Sequence, residues 1–120
     1  MQSKRTIKIK RIYEDVGSGD GYRILIDRLW PRGVSKEDAK LNEWNKELAP
    51  STELRKWFDH IPERFDEFRK RYKEELKSQE EELKRLHAMA KLKDITLLYA
   101  AKDEEINNAI VLMELLMKKK

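Results

Sequence analysis

The sequence predicts an α/β fold: one compact domain with a small, mostly parallel sheet flanked by helices, one of them long and covering about 62–91. Three observations predict it. Arg23–Leu29 (RILIDRL) and Asp94–Ala101 (DITLLYAA) are short apolar runs that read as buried strands. Between them, Phe65, Phe68, Tyr72, Leu76, Leu83, Leu86 and Ala90 form one stripe at helical spacing. Apolar strands joined by helical segments imply a parallel sheet covered on both faces.

The elements follow in order. Thr6–Ile12 (TIKIKRI) alternates apolar and basic residues, as a half-exposed strand does. Val16–Gly21 (VGSGDG) is a turn-rich loop. The loop from Tyr13 to Gly21 is too short for a regular helical crossover. The first two strands are therefore either parallel or a hairpin that makes the sheet mixed. Pro31 and Gly33 stop the second strand. Ser35 is expected to cap a short helix, with Asp38 three residues on. Ser51 is expected to cap Thr52–Phe58, where Leu54, Trp57 and Phe58 share a face. Trp57 and Phe58 should then pack inward, and Arg55 and Lys56 should not both do so. Pro62 suits the first turn of the long helix, whose remaining faces are Glu, Lys and Arg. Glu80–Lys84 and Glu81–Arg85 stand at i, i+4 there. Asp103 is expected to cap a final helix reaching about Met117, with Glu104 and Glu105 at the positive end of its dipole and Lys118–Lys120 at the negative end.

Composition narrows the function classes. A chain of 120 residues fits one domain, 1–120, and leaves no room for a second. No apolar run approaches the ~18 residues of a membrane span, and the N-terminus MQSKRTIKIK lacks the apolar stretch of a secretory signal. Cysteine is absent, which excludes a disulfide scaffold, a thiol nucleophile and Cys-ligated metal. The simplest compartment is the cytoplasm. Charged residues of both signs reach 42%, a Lys/Glu-rich composition of the thermophile kind, although a solvated helix gives a similar signal. The net charge of +4 is small against so many charges and gives only a slight bias toward anionic partners.

In open α/β sheets, ligands bind beyond the carboxyl ends of the strands. Two segments leave such ends: Asp27-Arg28-Leu29-Trp30-Pro31-Arg32-Gly33 and Tyr99-Ala100-Ala101-Lys102-Asp103. Arg28, Arg32 and Lys102 are expected to share one concavity with the start of the last helix, because guanidinium forks beside a helix N-terminus make an anion site. The ligand-binding candidates are Arg28, Trp30, Arg32, Arg55, Lys102 and Asn107. The plainer alternative has Arg28 paired with Asp27 or a helix carboxylate and Trp30 plugging the core. Of the two histidines, His87 reads as an ordinary residue of the long helix. His60, in the turn before Pro62, suits solvent or turn bonding, and is also the one imidazole placed to serve a site. No His/Asp/Glu spacing resembles a metal site, and nothing calls for a cofactor. Gly17-Ser18-Gly19-Asp20-Gly21 lacks the phosphate-loop pattern and reads as a turn.

The strings DGYRILIDRLWPRGVSKEDAKLNEW, ELAPSTELRKWF and TLLYAAKDEEINNAIVLMELL resemble domain-of-unknown-function family 488, in its YeaO-like branch. The resemblance covers about Ile7 to Leu116. Its motifs are Asp27–Gly33, Leu48–Ser51, Leu54–Phe58 and Leu97–Asp103. It implies a compact α/β domain with no agreed activity. Other branches carry a Cys near the end of the last strand and a Cys-His-Arg run in the following helix. The matching places here hold Tyr99 and Asn107-Asn108-Ala109, and Ile106 stands where YeaO-like relatives often have a His. Thiol or imidazole chemistry of other branches therefore does not carry over.

Three functions stay open on the sequence. The first is a binding module for a small anionic or phosphorylated ligand, with Arg28, Arg32, Arg55 and Lys102 holding charge and Trp30, Trp57 and Tyr99 as walls. The second is an enzyme using that pocket, with Asp27 or Asp103 as general acid–base and Tyr99 as donor, although no activated nucleophile is visible. The third is nucleic-acid binding through Lys4, Arg5, Lys8, Lys10 and Arg11, although basic residues on the wet side of a strand need no nucleic acid to explain them. A protein-interaction role completes the set.

Overall fold

Ile95–Tyr99 (β4) is buried at every position. A strand of that kind requires a neighbour at each edge and cover on both faces. A computed structural model, describing residues 7–118, supplies both. Ile7–Arg11 (β1) pairs with β4 on one side and Tyr22–Leu25 (β2) on the other, both parallel. Glu43–Trp44 (β3) adds a two-residue parallel edge beyond β2, so the order is β1-β4-β2-β3. The pairing is parallel throughout. The hairpin alternative is not formed, because β4 lies between the first two strands. Thr6, Lys4, Arg5, Lys119 and Lys120 lie outside the described residues.

Alternation along the strands divides the core in two. Ile7, Ile24, Ile26, Ile95, Leu97 and Tyr99 face the helices. Leu25 and Leu98 face the opposite way and meet Ile12 and Ala39 in a smaller cluster. The helical layer consists of Thr52–Phe58 (α2), Phe65–Leu76 (α3), Glu80–Leu92 (α4) and Asn108–Lys118 (α5). Loops and the single turn Lys36–Ala39 (α1) cover the other face.

The caps at Ser35 and Ser51 form. Ser35 Oγ accepts from Asp38 N at 3.0 Å and Ser51 Oγ from Leu54 N at 3.1 Å. The long helix runs from Pro62 to Leu92, but 3-10 turns at Pro62–Arg64 and Lys77–Gln79 flank and divide α3 and α4. The division falls between Leu76 and Leu83, where the buried stripe skips a turn and Lys77 and Ser78 are exposed. The final helix starts later than Asp103. The Asp103 carboxylate accepts from Glu105 N and Ile106 N in a local turn, and Asn107 is the true cap, its Oδ1 accepting from Ile110 N at 3.0 Å. Two competent Asx residues stand close together, and tertiary packing selects the second. Glu104 and Glu105 precede the helix rather than fill its first turn. The β3 edge carries no period and was not expected. Side chains hold it: Arg85 of α4 binds Glu43 and Glu82, and Asn45 Nδ2 donates to both carboxylates. These contacts hold the Glu43 and Glu82 carboxyls below their ordinary values.

Residues 12–21 return the chain from the end of β1 to the start of β2 without a helix. Asp20 pins this return. Its carboxylate takes Lys10 at 3.1 Å, Gly17 N at 3.1 Å and Arg23, while its carbonyl accepts from Thr96 Oγ1 at 2.6 Å. Arg23, 4% exposed, spends its other donors on the carbonyls of Ala39 and Lys40. Burial pushes the Asp20 carboxyl up, but Gly17 N–H, Lys10 and Arg23 outweigh it and leave it below its ordinary value. Gly21 follows with φ +66°, and a Cβ there would lie 2.3 Å from the Asp94 carbonyl oxygen.

Asp20→Ala should cost about 3–5 kcal/mol in urea unfolding, because it leaves the Arg23 charge buried without its carboxylate. The wild-type contribution is fully present above the unfolded carboxylate pKa. It should be lost as pH falls through the lower folded value. Gly21→Ala should destabilise by more than about 1 kcal/mol in the same assay, since the left-handed backbone and the Asp94 carbonyl both oppose a side chain.

Candidate functional site

After β2 the chain turns toward the loop-covered face, and after β4 it turns into α5 on the helical face. Adjacent parallel strands whose connections part in this way leave a crevice at their carboxyl ends. The crevice here is a cavity of about 250 Å³. Its walls come from the β2 exit, the approach to α2, α2 and α3 themselves, the β4 exit and the start of α5.

Asp27 stands at the junction. Its Oδ2 accepts from Ala100 N at 2.9 Å, and Oδ1 accepts from Asn108 Nδ2 at 3.2 Å. Asn108 also donates to the Ile26 carbonyl at 2.9 Å, which ties the end of β2 to α5. Burial raises the Asp27 carboxyl above its ordinary value, against the pull of Ala100 N–H, Asn108, Arg55 and His60. Arg28 does not pair with Asp27. Its guanidinium is turned to the Pro50 and Ala49 carbonyls, with Nε to Pro50 O at 2.9 Å. Arg55 Nε is buried and has no hydrogen-bond partner among the described residues. Arg32 is exposed at the rim, and its carbonyl accepts from Tyr13 Oη. Trp30 crosses Trp44 edge-on at 5.2 Å and donates Nε1 to the Val34 carbonyl, so it both props the loop and lines the cavity.

The structure brings Asp27, Arg28, Trp30, Arg32, Arg55 and Asn107 together along one cavity. It does not bring Tyr99, Lys102 or Asp103 there. Tyr99 is 2% exposed, on the helix-facing side of β4, where burial raises its phenol above the ordinary value. Lys102 and Asp103 are exposed and absent from the lining. The concavity expected for Arg28, Arg32 and Lys102 therefore forms without Lys102, because the chain takes several residues of turn before α5 begins. Trp57 is half-buried and also lies outside the cavity, with the Arg71 and Arg64 guanidinium groups over its ring at 4.2 and 5.4 Å. As expected, Phe58 packs inward and the partly buried Trp57 packs against the same core.

His60 lines the cavity. Asp59 and His60 both adopt left-handed backbone, φ 49° and 56°, directly after α2, and the His60 ring lies 6.1 Å from the Phe58 ring. Pro50, Phe58 and Phe68 supply apolar wall. No periodicity marks these as site residues. The one sequence signal was the turn Asp59-His60-Ile61-Pro62. Among the described residues no group of His, Asp or Glu is placed to hold a metal, and no helix is long and apolar enough to cross a membrane.

Comparison with known proteins gives a family and no solved fold relative. An uncharacterised protein of Escherichia coli (strain K12), YeaO, is 50% identical over 108 residues, covering 90% of this chain and 94% of the relative. An uncharacterised protein of Mycobacterium tuberculosis (strain ATCC 25618 / H37Rv) is 46% identical over 65 residues, covering 54% of this chain and 55% of the relative. No solved structure matches. The family model described as the inactive DUF488-N3 subclade matches residues 6–120, and the chain accordingly belongs to the DUF488 family.

Proposed function

We propose that this protein is a non-catalytic binder of a small anionic or phosphorylated ligand, held in the cavity at the carboxyl ends of β2 and β4. The observation that carries the reading is the charge of the cavity lining, where Arg28, Arg32 and Arg55 set three guanidinium groups against one carboxylate, Asp27. Cation-lined clefts with low-dielectric walls attract anions. The subclade description, inactive, supports the non-catalytic part. So does the absence of cysteine, together with the burial of Tyr99 away from the cavity.

The nucleic-acid reading has less support. Lys10 and Arg11 are spent internally, on Asp20 and on the Ala101 carbonyl, and Lys8 Nζ donates to the Gly19 carbonyl. These cations hold the return loop and the β4 exit rather than form an open basic face.

Wild-type protein should gain several degrees of thermal midpoint in excess inorganic phosphate or hydrocinnamate. Ligand at about one hundred times Kd contributes roughly 2.7 kcal/mol. Arg55→Met and Arg32→Lys should each raise the half-saturating concentration about tenfold or more, since lysine cannot reproduce a planar fork. Lys8→Ala and Lys10→Ala should leave the ligand-induced shift intact. The reading fails if neither anion moves the wild-type midpoint, or if strand-one changes abolish RNA retention at moderate salt while Arg32→Lys does nothing.

A further inference from the structure

We infer that the ligand is a zwitterion, a free amino acid with an apolar side chain, its carboxylate held by Arg55 and its ammonium by Asp27. This rests on the anion-binding reading of the same cavity and adds the second charge. A carboxylate offers about four lone-pair positions. Asp27 uses one on each oxygen, for Ala100 N–H and the Asn108 amide, and no other donor reaches it among the described residues. The Asp27 oxygens therefore keep acceptor capacity beside the cavity that the residue lines. A bare anion leaves that capacity unmet and sets a second negative charge next to Asp27. A ligand with an N–H donor beside its own anion satisfies both ends.

Placement and walls agree with this. Asp27 and Arg55 line the same cavity and form no ion pair with each other among the described residues. An amino acid carries its two charges on adjacent carbons and offers one to each side chain. A peptide end carries only one of them and does not. Phe58 and Phe68, stacked at 4.4 Å between centroids, line the cavity with Pro31 and Pro50. These walls suit an apolar side chain, and about 250 Å³ leaves room for one of leucine to phenylalanine size. Charge complementarity at both ends acts chiefly on specificity, rejecting ligands that lack either group.

The experiment is a ligand series on the wild-type chain, read as thermal midpoint against concentration. L-phenylalanine should half-saturate at least tenfold below hydrocinnamate, which lacks the ammonium, and below phenethylamine, which lacks the carboxylate. L-leucine should outperform isocaproate in the same way. Asp27→Asn should collapse the preference of phenylalanine over hydrocinnamate to under threefold, while Arg55→Met weakens both. Should Asp27→Asn not fold, the wild-type ratios decide alone. Equal binding of hydrocinnamate and phenylalanine overturns the zwitterion and leaves the anion reading standing. A phosphate response without any amino-acid response does the same. No response to phosphate, hydrocinnamate or phenylalanine overturns both.

Discussion

The buried Asp20 carboxylate is the contact on which the architecture depends. Two parallel strands flank β4, and the chain joins them through residues 12–21. The chain must travel back the length of a strand, roughly 16 Å at about 3.3 Å per residue. It must also step across β4. Ten residues make this return as a loop with turns closed by Glu14 N to Arg11 O and Asp20 N to Gly17 O, and no amphipathic helix covers that part of the sheet. A loop has few apolar groups to bury, and polar contacts must hold it down. Asp20 gathers a lysine from β1, an arginine from β2 and a backbone N–H from the loop. Arg23 passes the connection on to α1 through the Ala39 and Lys40 carbonyls. One ionic knot thus helps seal the face that carries only loops and the single-turn helix α1.

The cavity is a consequence of that arrangement. With the loop and α1 committed to one face, the exit of β2 turns that way, while α5 must cover the other. The strands diverge at their carboxyl ends, and the Asn108 amide spans the divergence by bonding Ile26 O and Asp27. Arg55 reaches the opening because Ser51 fixes the first turn of α2. Ser51 is itself anchored to Glu75 of α3 through its hydroxyl and through its N–H at 2.9 Å. Each wall of the cavity is set by a cap or a tie that also serves the fold.

Much of this was legible in the sequence, and the parts that were not share a cause. Helical and strand periods exposed β1, β2, β4 and the stripe of α3 and α4, because burial writes a pattern into residue types. Ser35 and Ser51 were legible because a cap needs an oxygen at one defined position. The strand neighbours of β4 were not, since a short polar loop is compatible with either direction. Glu43–Trp44 was invisible because two residues carry no period. The start of α5 was placed at Asp103 because that residue is a competent cap, and only packing distinguishes it from Asn107. Tyr99 was placed in the site because it ends a strand, but alternation puts it on the helix side with Leu97. Phe58 and Phe68 read as core, which they are, and nothing in their spacing reveals that one edge of each also faces a cavity.

Three departures from ordinary packing economy converge on that cavity. Asp27 is a carboxylate whose burial raises it above its ordinary value. Arg55 keeps a buried donor without a partner. Asp59 and His60 hold consecutive left-handed conformations without glycine, a backbone choice that costs of order 1 kcal/mol or more per residue. None of these improves the core, and each would be relieved by a single ordinary substitution. Sequences tend to break local rules where a site requires it and to follow them elsewhere. Elsewhere among the described residues Ser35, Ser51 and Asn107 cap their helices, while α3 and α4 start without a side-chain cap, Lys40 also takes left-handed backbone, and His87 Nε2 is also buried without a partner. At that cavity the Asp27 carboxylate is tied to Ala100 N–H and the Asn108 amide, while Arg28, Arg32 and Arg55 stand in the same lining, so the proposed anion binding would use groups that the ends of β2 and β4 already hold in place.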